Sequence, residues 1–179
     1  MKYALITFSL FLLSMTSQGQ DYQSKQSESS MKISGTSTLH DWEIIVETFT
    51  GKAKVNDGKM TSASFVADVK SLKSGTSSMD DNTYKALKEK DYPKITFIST
   101  GIAESNGKMT LKGNLTIAGV TKPISISATR EKWAEPTMTV KGFHTFNMSE
   151  FGIDPPRAML GTIRTGDEVT ITFKLVLYK

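Results

Sequence analysis

The stretch SSMDDNTYKALKEKDYPKITF, residues 77–97, decides how the rest of the chain is read. It carries a helix signal that runs straight into a strand. Ser78 reads as an N-cap, with Asp81 three residues on as the reciprocal half of a capping box. Asp80 and Asp81 sit where a helix dipole favours negative charge, and Lys85, Lys88 and Lys90 lie near the other end. Pro93 stops the helix, and Ile95-Thr96-Phe97 then alternates as a strand does. The spacing predicts one short helix over about residues 79–90. In a chain otherwise patterned as β, such a helix is a plug, a lid or a packing element.

Working outward, the apolar period is two almost everywhere. Trp42, Ile44 and Val46 alternate with Glu43 and Glu47. Ala63, Phe65, Ala67 and Val69 alternate with Ser64, Asp68 and Lys70. Met109, Leu111, Leu115 and Ile117 form a third row, and Val169 to Leu177 the cleanest of all. Asn56-Asp57-Gly58, Asn106-Gly107, Gly119 to Pro123 and Thr165-Gly166-Asp167 separate the runs as turns. About eight strands joined by short turns predict an all-β antiparallel barrel or sandwich.

The chain has 179 residues, no Cys and a net charge of +4. Lys2, the apolar run from Ala4 to Met15, then Ser17 and Gly19 have the pattern of a secretory signal cleaved near Gly19. That apolar run is too short to span a bilayer as a helix. The localisation this predicts is periplasmic or secreted, in a bacterial cell envelope. Without Cys, thiol catalysis, Cys-ligated zinc and lipobox lipidation are excluded, and stability cannot rest on disulfides. Lysines are scattered among acids with no basic cluster, which argues against a nucleic-acid partner. Residues 20–30 are polar and pattern-free and read as a flexible leader, leaving 31–179 as one domain.

The inward rows mix bulky residues with Ala53, Ala63, Ala67, Gly113, Ala128 and Gly142. An eight-stranded barrel either fills itself with side chains or holds one small ligand. Small inward residues can leave volume, or can simply interdigitate with large ones. The pattern alone leaves both arrangements open.

Four segments, taken in order, resemble the YceI family of exported, lipocalin-like proteins. They are Asp91-Tyr92-Pro93-Lys94-Ile95-Thr96-Phe97, the run from Gly113 to Ile124, Met148-Ser149-Glu150-Phe151-Gly152-Ile153, and Gly166-Asp167-Glu168-Val169. The resemblance implies an eight-stranded antiparallel lipocalin-like barrel with a hydrophobic channel that binds a polyisoprenoid. The ligand would be of quinone-tail or polyprenyl-phosphate type, with the helix lying against the barrel. Two places depart from the family pattern: Met148 stands where members often carry Arg, and Gly35 to Trp42 differs from the common start. On this reading Trp42, Ile44, Phe65, Ala67, Phe97 and Leu115 line the channel. Ile117, Ile126, Val140, Phe146 and Phe173 complete the lining, and His40, Tyr84, Phe151 and Met159 surround the mouth.

His40-Asp41, with Ser37 nearby, is where an imidazole meets a carboxylate in sequence. Neighbouring strand residues point to opposite faces, so they are not expected to converge as a triad. His144 shares parity with Met138, Val140 and Phe146, which predicts an interior histidine. Two His without a His-x-x-x-His spacing give no metal site, and no cofactor is expected. Lys85, Lys88, Lys90 and Lys94 read as a solvated face rather than a rim around a head group. The functional expectation is a lipid-binding protein without catalysis. The competing classes are an envelope hydrolase or isomerase using His40 and Asp41, and a ligand-free structural barrel that binds protein partners.

Overall fold

The computed structural model describes residues 19–158 and 161–179. Residues 1–18 of the expected signal and Met159 of the expected mouth lie outside them. The strands are β1 (Gln20–Ser24), β2 (Ser30–Ser37), β3 (Trp42–Val46), β4 (Phe49–Asn56), β5 (Lys59–Asp68) and β6 (Leu72–Lys73). After the helix α1 (Ser77–Ala86) come β7 (Lys94–Ser105), β8 (Lys108–Ile117), β9 (Val120–Ala134), β10 (Thr137–Asn147), β11 (Arg157–Ala158) and β12 (Ile163–Tyr178). β1 with β2, β3 with β4, and β5 with β6 are interrupted halves of three staves. With β7, β8, β9, β10 and β12 they make eight antiparallel staves in sequence order.

Closure comes from the last strand. β12 pairs with β10 along one side, and on the other with β2 (Phe173 opposite Met31) and with β1 (Leu177 opposite Ser24). The barrel is a closed up-and-down meander, as the strand count and turn signals predict. Asp57-Gly58, Asn106-Gly107 and Ala118-Gly119 each take positive φ at both positions, the geometry that two-residue hairpins need to match strand twist.

The segment read as a flexible leader is a correction. Gln20–Ser24 is the first half of a stave, hydrogen-bonded to β4 and to β12, with Tyr22 only 2% exposed. Its polar composition has a physical reason: a 3-10 turn at Gln26–Glu28 interrupts the ladder, and polar side chains replace the lost backbone partners. The Gly51 N–H donates to Ser24 Oγ at 2.8 Å, the Phe49 N–H to Gln26 Oε1 at 3.1 Å, and the Val176 N–H to Ser29 Oγ at 3.0 Å. These residues are polar because they patch a sheet.

The helix is also shorter and earlier than predicted. It spans Ser77–Ala86 with Thr76 at the N-cap and no side-chain capping bond, so the Ser78/Asp81 capping box does not form. Asp80 is instead the buried anchor. Its Oδ1 accepts from the Ser74 N–H at 2.8 Å and from the Ser74 hydroxyl at 2.6 Å, and Lys73 Nζ lies 3.8 Å from Oδ2. Burial pushes this carboxyl up, but the Ser74 bonds and Lys73 outweigh it and hold it below the ordinary Asp range. Leu87 to Asp91 turns rather than continuing the helix, with Lys88 in the left-handed region.

Because Tyr22 is buried on the stave that closes the barrel, Tyr22→Ala should destabilise the protein by roughly 3 kcal/mol, the scale of a buried aromatic truncation. Thermal melting of the variant against the parent measures this. An unchanged melting temperature would mean that β1 is dispensable.

Candidate functional site: an apolar cavity in two parts

Inward residues near the termini end of the barrel, Tyr22, Val55, Met60, Met109, Met138 and Leu177, are buried and packed together. There Arg130 forms an ion pair with Glu104, stacks over Trp133 at 4.3 Å and donates to the Gly58 carbonyl at 3.0 Å. Toward the α1 end the packing opens. Phe65, Ile126, Phe146 and Phe173 lie on inward faces yet are only half-buried, because they border space inside the barrel.

That space has two parts. A deep cavity of about 100 Å³ lies among all eight staves, lined by Ala63, Phe65, Phe97, Leu115, Ile126 and Phe173, among others. A mouth cavity of about 400 Å³ lies above it, with Trp42, Ile44, Ile117 and Phe146 on its barrel side. Met79, Asn82, Thr83 and Ala86 of α1 form its roof, and Leu39, His40, Met148 and Arg157 its edge. Ile95 and Ile171 line both parts. The helix that opened the sequence question is therefore a roof over the mouth.

The small residues do not all make this volume. A Cβ on Gly113 would fall 2.5 Å from the Phe97 ring, and one on Gly142 would fall 2.5 Å from the Phe173 ring. Those two glycines give their space to aromatic rings. Ala53 and Ala63 do face the deep cavity.

Of the expected lining, ten residues border one of the two parts. Ala67 does not: it is 2% exposed, packed between its cross-strand partners Phe49 and Ile95. Of the expected mouth, His40 borders the cavity. Phe151 does not; it is 1% exposed and meets Phe146 edge-on at 5.1 Å, holding the wall from behind. Tyr84 does not border the mouth cavity and ties α1 down, its hydroxyl 3.0 Å from the Lys70 carbonyl and 3.1 Å from that of Leu72. Lys73 Nζ donates to the Tyr84 hydroxyl oxygen at 2.7 Å. Lys85, Lys88, Lys90 and Lys94 are exposed and border neither part, and Lys94 pairs with Asp68 at 2.6 Å.

The His40 segment holds no relay. The imidazole Nδ1 lies 2.7 Å from the Asp41 backbone carbonyl, and the Ser37 hydroxyl donates to the His40 carbonyl at 2.7 Å. No bond connects that hydroxyl to the ring or the ring to the Asp41 carboxylate. His144 was legible as an interior residue, but not its state. It borders the deep cavity, stacks on Phe146 at 5.8 Å, and its Nε2 is buried without a partner. Burial pushes its pKa down, against smaller upward pulls from the Ser125 backbone and Glu150.

The sequence segments that carried the family resemblance turn out to be joints at this end of the barrel. The Tyr92 ring lies where a Cβ on Gly119 would stand, which fixes the β7 start against the β8–β9 turn. The Ser149 N–H and hydroxyl donate to the two Asp167 carboxylate oxygens at 2.8 and 2.5 Å, joining the Met148–Phe151 turn to β12.

The YceI-like domain model matches residues 22–177, nearly the whole described fold. The chain belongs to the YceI family. A UPF0312 protein of Pseudomonas syringae pv. tomato is 36% identical over 95 residues, covering 49% of this chain and 47% of that protein. One of Pseudomonas putida is 31% identical over 126 residues, covering 64% and 65%. The chain thus spans between about half and two thirds of the length of these curated relatives. Among solved structures, Burkholderia cenocepacia BcnA superposes with a TM-score of 0.75 at 24% identity, covering 86% of this chain and 98% of that one. A polyisoprenoid-binding domain from Saccharophagus degradans, implicated in plant cell wall breakdown, has a TM-score of 0.69 at 13% identity, covering 88% and 97%. These likenesses establish the shared fold.

A histidine held neutral by burial has a folded pKa below its unfolded value near 6.5. Stability is then greatest above that value and falls as pH drops below it, where the unfolded chain takes up the proton first. Melting temperatures measured from pH 7.5 down to 5 should fall for the parent and fall less for His144→Phe. Parallel curves would show that His144 titrates as it does in the unfolded chain.

Proposed function

We propose that this protein is an exported, non-catalytic carrier that shelters an isoprenoid chain from water inside its barrel. The observation that carries this is the two-part apolar space running inward from α1 to the middle of the barrel, bordered at both levels by Ile95 and Ile171. Affinity would come from removing the chain's apolar surface from water, at roughly 25 cal/mol per Å². The polyisoprenoid-binding domain that shares this fold supports the ligand class. Met148 at the mouth, where members of the family often carry Arg, makes that edge more apolar. The backbone-directed bonds of Ser37 and His40 support a role without catalysis.

The N-terminal pattern of Lys2, the apolar run and the small residues before Gly19 supports export. The position of β1 supports it, since a cut near Gly19 leaves the first stave, which starts at Gln20, whole. Among the described residues no helix is long and apolar enough to cross a membrane.

The deep cavity sets the test. Purified, delipidated protein titrated with isoprenoids of increasing length should bind more tightly as length grows, then level off once the interior is occupied. Ala63→Phe puts a ring into the deep cavity and should weaken binding by tenfold or more. Ala67→Phe overpacks a site that borders neither part. It should cost roughly 1–3 kcal/mol of stability while leaving the length dependence in place. Equal affinity for every length in all three proteins would place the ligand outside the barrel.

A further inference from the structure

His144 stands out among the barrel's inward residues. It borders the deep cavity in a row with Val140 and Phe146, and its Nε2 is buried with no hydrogen-bond partner. Leaving a buried acceptor or donor unsatisfied costs about 1–3 kcal/mol, so such an atom beside a binding cavity calls for a partner. A lone water serves poorly, since a buried water needs two to four polar partners. Around His144 the deep cavity offers aliphatic and aromatic walls, with Ser64 and the exposed Lys52 as its other polar neighbours.

We propose that the ligand enters head first, with a hydroxyl at its polar end bonded to His144 Nε2 and its apolar tail running out under α1. This rests on the lipid-binding reading above and adds the orientation and head-group chemistry. The geometry favours it in three ways. The deep cavity, at about 100 Å³, has room for one end of a ligand, whereas the 400 Å³ mouth suits a tail. The ring stacks on Phe146, which borders the mouth cavity, so His144 sits at the passage between the two parts. The His terminal torsion is soft, so a small turn brings the covered Nε2 toward the cavity without rebuilding the wall.

The ring's state selects the ligand chemistry. The Ser125 backbone pulls the pKa up, and a single proton on Nδ1 leaves the unpartnered Nε2 bare. Burial keeps the ring neutral against that pull. Nε2 is then a lone-pair acceptor, and its partner must donate. An alcohol or a phenol donates; an ether or a quinone carbonyl does not. A phosphate head would bring charge into an apolar wall, a much greater desolvation cost.

The test compares geranylgeraniol with its methyl ether, which keeps the chain and loses the donor. In the parent protein the alcohol should bind about tenfold more tightly than the ether, the scale of one buried hydrogen bond. His144→Phe keeps a ring of similar size, and there the two should bind equally. In the parent, the ¹⁵N resonance of His144 Nε2 should move with the alcohol and stay with the ether, a readout independent of whether the variant folds. Equal affinity for both compounds in the parent, or an unmoved Nε2 signal with alcohol bound, overturns the head-first orientation and leaves the carrier reading standing. Binding of neither compound overturns both.

Discussion

Everything in this molecule depends on the pairing of its last strand with its first. β12 runs 16 residues and holds β10 on one edge and β2 with β1 on the other. Closing the sheet this way removes both edges, which would otherwise offer unpaired backbone to other chains. It also turns eight separate apolar faces into one interior. An open sheet with the same residues would need a second layer to cover that face, and no cavity would result.

Within the closed sheet, the height of a residue along the barrel decides its role. At the termini end, methionines, Tyr22 and the Arg130–Glu104 pair fill the interior and give the fold its packed core. In the middle, aromatic rings lie over Gly113 and Gly142, and Ala53 and Ala63 leave the deep cavity beside them. At the mouth, α1 spans the opening, held by Tyr84 on the Lys70 and Leu72 carbonyls and by Asp80 on Ser74. One end of the barrel stabilises the fold so that the other can stay hollow. An unfilled apolar cavity destabilises a protein by about 24 cal/mol per Å³. A ligand that fills the space offsets that cost.

The sequence showed the faces of this barrel but not its heights. Strict alternation in β8 put Met109, Leu111, Leu115 and Ile117 inside, and all four are buried. Parity cannot distinguish Ala63 from Ala67, which share a face. One borders the cavity and the other is packed beside Phe49, because the stave's position along the barrel axis is set by partners distant in sequence. The β1 stave was hidden for a related reason. Its polar residues serve long-range bonds to Gly51 and Phe49, and its single buried side chain gives no period. The helix start was misplaced because Asp80 bonds backward to Ser74 rather than serving a capping box at Ser78. His144 was legible as interior from its parity with Val140, but an unpartnered nitrogen is a property of surroundings that no local pattern encodes.

If the interior holds an isoprenoid lipid as proposed, native mass spectrometry of the protein purified from its own cell envelope should detect it. One lipid per chain is expected, with bound species differing by whole isoprene units. Chemical extraction should release them, and delipidated protein should take them up again. Protein that flies only at its bare mass, and stays bare after incubation with isoprenoids, would contradict the proposal.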